Sequence, residues 1–158
     1  MTRVKTCVLI LENLRSIENT ASIFRTAEGL GVSKIILVGT TPAPVDRFGR
    51  KRNDFAKVSL GSEQFISWEV DKSISSVIEE LKDQDFKIFA LEQHPNSKNL
   101  QAVSSKLQAF ALIVGNEVDG VSKETLEAVD EIVEIPMHGK KESLNVSVST
   151  GIALFVLI

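Results

Sequence analysis

Residues 110–120 read Phe110-Ala111-Leu112-Ile113-Val114-Gly115-Asn116-Glu117-Val118-Asp119-Gly120, five apolar residues breaking directly into a turn of glycine, asparagine and acid. An apolar run of strand length with no polar alternation suits a strand covered on both faces, as in a parallel sheet. Residues 6–11, 34–38, 86–91 and 131–135 have the same character, and a weaker strand is predicted at 64–68. Helix-period segments separate these runs. After the first, Asn19 is placed as N-cap, Ile23, Ala27 and Leu30 recur at helical spacing, and Gly31 is a natural stop. Residues 73–82 put Ile74, Val77, Ile78 and Leu81 on one helix face; a short helix is predicted at 122–129 and a final one at 143–157, with Ser143 as its N-cap. Strands alternating with helices predict an α/β fold, a mainly parallel sheet flanked by helices.

At 158 residues, 43% hydrophobic and 25% charged, the chain has the make-up of one ordinary globular domain spanning 1–158, without repeat or linker. No apolar run approaches the ~20 residues that span a bilayer. The start, MTRVKTCVLILENL, has basic residues before an apolar run but no small-residue cleavage site. It is therefore read as the first strand, and a cytoplasmic protein is expected. The single cysteine, Cys7, sits in that strand and is expected to be a buried, inert thiol. No His, Cys or carboxylate spacing fits a metal site.

Net charge is −3, which argues against coating nucleic acid by bulk charge. A local basic footprint exists all the same. Arg47, Arg50, Lys51, Arg52 and Lys57 fall within the irregular stretch 40–57, which also holds two prolines and a glycine. A loop that long in a compact domain is more often functional than idle.

Open α/β sheets bind ligands beyond the carboxyl ends of their strands. Gly115–Gly120 is one such loop. Its glycines allow a tight turn and close backbone approach, but it is neither a GxGxxG fingerprint nor a phosphate loop. Standing alone, it reads as a turn. Ile135-Pro136-Met137-His138-Gly139 is another: the proline ends the strand, and Met137 offers a soft surface for a flat aromatic ring. The third, Glu142-Ser143-Leu144-Asn145-Val146-Ser147, opens the last helix. Arg25 lies off the apolar stripe of its helix, so periodicity alone makes it solvent-facing.

Taken in order, these segments resemble a known family. Asn19-Thr20-Ala21-Ser22-Ile23-Phe24-Arg25-Thr26-Ala27 is similar to motif 1 of the TrmH/SpoU methyltransferases. LIVGNEVDGVS at 112–122 resembles motif 2, and IPMHGKKESLNVSVSTGIAL at 135–154 resembles motif 3. The resemblance implies a SPOUT domain whose C-terminal segment forms a trefoil knot, and a homodimer with sites near the subunit interface. It implies S-adenosylmethionine held against Leu91, Glu92, Gly115, Asn116, Glu117, Ile135, Pro136, Met137 and Leu144. Arg25 matches the family's catalytic arginine, Asn19 its motif-1 asparagine, and Ser143 and Asn145 its motif-3 polar pair, with Glu117 shaping the pocket.

The reaction so implied is methylation of a ribose 2′-hydroxyl in tRNA or rRNA. Base methylation and non-catalytic RNA binding are the alternatives on this fold, and the set Arg25, Ser143, Asn145 favours ribose. Two departures stand out: Ala21 occupies a usual glycine position, and Ile158 ends the chain early in the last helix. With no RNA-binding domain expected before residue 1, Arg47, Arg50, Lys51 and Arg52 are expected to supply much of the RNA grip.

Overall fold

A computed structural model describes residues 5–103 and 106–158. Among these residues, seven strands form one sheet: β1 (Thr6–Glu12), β2 (Lys34–Val38), β3 (Ser67–Asp71), β4 (Lys87–Leu91), β5 (Lys98–Asn99), β6 (Ala109–Val114) and β7 (Glu131–Glu134). Their order across the sheet is β3-β2-β1-β6-β4-β7-β5, and every ladder is parallel. Five helices pack around it: α1 (Ile17–Gly29), α2 (Asn53–Ser59), α3 (Ile74–Asp83), α4 (Lys123–Ala128) and α5 (Val146–Leu157).

Why the runs become central strands is visible in their burial. Alternate residues point to opposite faces, and both faces are dry. Cys7, Leu9, Leu11, Leu112 and Val114 join one core cluster with α1 and α5. Val8, Ile10, Ala111 and Ile113 join the other with α3. Cys7 is fully buried, and burial pushes its thiol up to about 12, so it stays protonated and unreactive. Among the described residues, no helix is long and apolar enough to cross a membrane.

The structure corrects four sequence expectations. Asn19 is not the first N-cap; Ser16 is, its hydroxyl accepting from the Asn19 amide. Nor does Ser143 cap the last helix. Asn145 does, accepting from the Ser147 and Val148 amides, so α5 starts three residues later than expected. The weak strand lies at Ser67–Asp71, because Leu60 and Gly61 take left-handed backbone and the chain first makes a 3-10 turn at Ser62–Gln64. The irregular stretch 40–57 also runs into a helix. α2 is anchored there by Phe55, whose buried ring meets Phe24 of α1 edge-on at 5.1 Å. Of the basic start, residues 1–4 lie outside the described residues.

Candidate active site

The carboxyl ends of β4, β6 and β7 open onto a cleft of ≈ 460 Å³. Eight residues expected around the cofactor line it: Leu91, Glu92, Gly115, Asn116, Glu117, Ile135, Met137 and Leu144. Pro136 lies between two of them but is not part of the lining, while Ser143 is.

The loop after β6 is built to leave this space open. Asn116 and Gly120 pair across the turn, and the Asn116 side chain accepts from the Val118 and Asp119 amides at 2.8 and 2.9 Å while donating to the Asn13 carbonyl at 2.8 Å. Gly120 has φ +71°, and a Cβ there would lie 2.0 Å from a Glu92 carboxylate oxygen. That oxygen accepts from the Val121 amide at 2.9 Å, and the other from Gln93 at 3.0 Å. Glu92 thus ties the end of β4 to the loop.

Glu117 ties the loop to α1. Its carboxylate accepts from the Arg15 and Ser16 amides at 3.0 Å each and from the Asn19 side chain at 3.3 Å. Partial desolvation pushes its pKa up, but the hydrogen bonds from Ser16, its own amide, Arg15 and Asn19 outweigh this and hold it below the ordinary 4.5. A carboxylate so engaged is a poor proton acceptor. The Asn19 side-chain oxygen in turn accepts from Asn145 at 3.1 Å. Side chains 126 residues apart are thereby joined, and one line of hydrogen bonds, Glu117–Asn19–Asn145, links the three motif segments. Asn19 was expected for its motif; its freedom to bridge follows from Ser16 taking the capping role.

Arg25 is not in this cleft. It lines a separate groove between α1 and α5 with Ser147, Val148, Gly151, Ile152, Phe155 and Val156. Val146 and Ser149 face the cleft, so the start of α5 is a wall shared by both. Phe155 is 76% exposed there.

The basic residues stand apart on a hairpin between β2 and α2. Val45 and Lys51 pair antiparallel, and the Asp46 carboxylate accepts from the Phe48 and Arg50 amides and from the Arg50 guanidinium at 2.8 Å. The Arg50 amide, opposed by desolvation and then aided by the Phe48 amide and the Arg50 and Arg52 guanidinium groups, holds Asp46 below its ordinary range. Sequence reasoning missed Glu12, which is buried at the end of β1, accepts from the Ser122 amide and Thr125 hydroxyl, and fixes α4. Its place at the end of an apolar run was the available signal. Among the described residues, no group of three or more His, Cys, Asp or Glu could hold a metal.

The model of the SpoU rRNA methylase family matches residues 6–155. A tRNA (guanosine(18)-2′-O)-methyltransferase of Borreliella burgdorferi is 30% identical over 99% of this chain and 67% of its own. The namesake enzyme of Aquifex aeolicus is 32% identical over 97% of this chain and 69% of its own. Among solved structures, the AdoMet-bound rRNA methyltransferase of Sinorhizobium meliloti superposes with TM-score 0.87 at 25% identity, covering 99% of this chain and 57% of the other. The A. aeolicus TrmH/SpoU tRNA modifying enzyme superposes with TM-score 0.83 at 31% identity, covering 98% and 75%. The chain therefore spans between just over half and three quarters of these proteins. A family match over almost every residue, on a fold shared with family members, shows that the chain belongs to the SpoU rRNA methylase family.

Proposed function

We propose that the protein transfers a methyl group from S-adenosylmethionine to a ribose 2′-hydroxyl of tRNA or rRNA, acting as a homodimer. The observation that carries this is the Glu117–Asn19–Asn145 line, which assembles the three motif segments beside one cleft. The printed names of the relatives, guanosine 2′-O-methyltransferases, and an AdoMet-bound structural neighbour support the same reading.

The cleft suits this cofactor. Its volume lies within the ~300–1,000 Å³ of small-molecule sites. Leu91, Ile135, Met137 and Leu144 offer apolar surface to an adenine ring, while Gly115 and Gly120 let backbone approach. Glu92, Glu117, Asp119 and Glu134 line it, and no Lys or Arg is among the described lining residues. That charge favours a cationic sulfonium over a phosphate-bearing cofactor. Asn116 shapes the turn that frames one side of the site, and Pro136 is proposed to lie against the cofactor on the other. When bound, S-adenosylmethionine supplies a methyl group made electrophilic by its sulfonium.

The residues of the chain position the acceptor. Asn145 and Ser143 orient the ribose at the cleft mouth, and Asn19 holds Asn145 in place. Arg25 grips the adjacent phosphate and steadies the 2′-oxygen, a role that its planar fork of donors suits. Arg25 lies in the groove that a second copy would cover, at the shared wall of α5. α5 is apolar on both sides: Thr150, Ala153, Leu154 and Leu157 are buried, while Val148, Ile152, Phe155 and Val156 face outward. A helix apolar all round is one meant to be covered on both sides. The trefoil crossing implied by the resemblance belongs to the same proposal. Arg47, Arg50, Lys51 and Arg52 bind the RNA backbone.

Calorimetry with S-adenosylmethionine, ATP and NADH tests the site. Binding of the first alone, with transfer of its labelled methyl group to RNA, is expected. Preference for a phosphate-bearing cofactor would overturn the assignment.

A further inference from the structure

The hairpin between β2 and α2 carries one aromatic ring, and its surroundings set it apart. Phe48 is 66% exposed at the turn. The Arg47 guanidinium lies over its ring at 4.7 Å from the centroid, and that of Arg50 at 5.0 Å. Phe65 and Phe155 are also exposed, but no other described ring has two guanidinium neighbours. The backbone beneath is held firmly. The Asp46 amide donates to the Arg50 carbonyl at 2.9 Å, the Gly49 amide to Asp46 at 2.9 Å, and the Phe48 amide to the Asp46 carboxylate at 2.8 Å. Gly49 takes φ +77°, which lets the chain reverse.

The two arginines are not equivalent. Arg50 is tied to Asp46 at 2.8 Å, whereas Arg47 makes no ion pair among the described residues. Arg47 is free to leave the ring for a phosphate, whereas Arg50 is held to Asp46 through Nε and offers RNA only its terminal amino groups.

We propose that Phe48 is a stacking platform for an unpaired nucleobase of the RNA, with Arg47 taking the neighbouring phosphate as the base settles on the ring. The proposal rests on the RNA reading above and deepens it: the hairpin selects single-stranded or looped RNA over duplex. A duplex keeps its base faces stacked inside, so only phosphate contacts remain to it. A ring fixed on a tight hairpin loses little freedom on binding, which favours stacking over a floppy contact. Base–aromatic stacking tolerates any base, because every base has a π-face.

The test is fluorescence anisotropy with a short labelled single-stranded RNA and a blunt RNA duplex of equal length. Phe48→Leu keeps bulk and charge and removes the π-face. Its affinity for the single strand should fall about 5- to 150-fold, with an unchanged salt slope and little change on duplex. Phe48→Trp should restore affinity, its added indole fluorescence quenched by the single strand but not the duplex. Arg47→Ala should instead flatten the single-strand salt slope by about 0.7. Equal losses on both RNAs, an unaffected Phe48→Leu protein, or a changed oligomeric state in that variant by sedimentation would each overturn the stacking role. Wild-type protein that binds S-adenosylmethionine but neither RNA would sink the RNA reading itself, a result distinguishable from the others.

Discussion

Substitutions at Glu117 and Arg25 separate structural support from chemistry. Glu117 accepts four hydrogen bonds only as a carboxylate, and its pKa is held below the ordinary 4.5. A depressed folded-state pKa contributes stability that is fully present above the unfolded value and is lost as pH falls through the folded one. Urea unfolding from neutral pH down through pH 4 should therefore show a steeper acid loss in the wild type than in Glu117→Gln. At neutral pH that variant should be about 1–2 kcal/mol less stable. Parallel acid arms would remove the carboxylate from this role. Arg25 calls for the opposite outcome. Because it lies outside the cleft, Arg25→Ala should leave S-adenosylmethionine affinity nearly unchanged while methyl transfer falls about 10²- to 10³-fold, as when one preorganised transition-state contact is lost. Calorimetry showing lost cofactor binding would move Arg25 into the pocket.

Among elements, the loop after β6 is the most exacting. A Cβ on Gly115 would lie 2.4 Å from Gly120 backbone, and backbone cannot swing aside as a side-chain tip can. Gly115→Ala should cost about 1–3 kcal/mol by overpacking and weaken cofactor binding, measured together by thermal unfolding with and without S-adenosylmethionine. An unaltered shift on adding cofactor would show that the loop does not shape the site. The same elements show what periodicity can and cannot specify. Continuous apolar runs located the five central strands to within a residue at their ends, and the helix faces of α1 and α3 followed from spacing. Helix starts were harder, because Ser16 and Asn19, or Ser143 and Asn145, are all good capping types. Which one caps is decided by distant partners, since Asn19 is drawn to Glu117 and Asn145. β5, two residues long, and α2, seven, are too short for a period to register. The cleft residues are legible only as a motif set; singly, Gly115–Gly120 reads as a turn, Ile135–Gly139 as a strand end and Glu142–Ser147 as a helix start.

At the scale of the molecule, the order of five similar apolar strands cannot be told from their composition, because each would satisfy the same buried position. The sheet places β6 and β4 beside each other and β7 next, and that neighbourhood gathers the three loops into one cleft. On the far side of α5, the exposed apolar face is where a second copy is proposed to pack. Phe155→Asp puts a charge on that face without touching the cleft. Sedimentation of the wild type at micromolar concentration should give a dimer and of this variant a monomer, which still binds S-adenosylmethionine but no longer methylates RNA. A wild-type monomer with full activity would contradict the shared interface. The proposed acceptor is a ribose oxygen. Mass spectrometry of RNA digested to nucleosides after incubation with the protein and isotopically labelled S-adenosylmethionine tests it most directly. Label is expected on the sugar fragment of a single nucleoside; label on a base fragment would exclude a ribose acceptor.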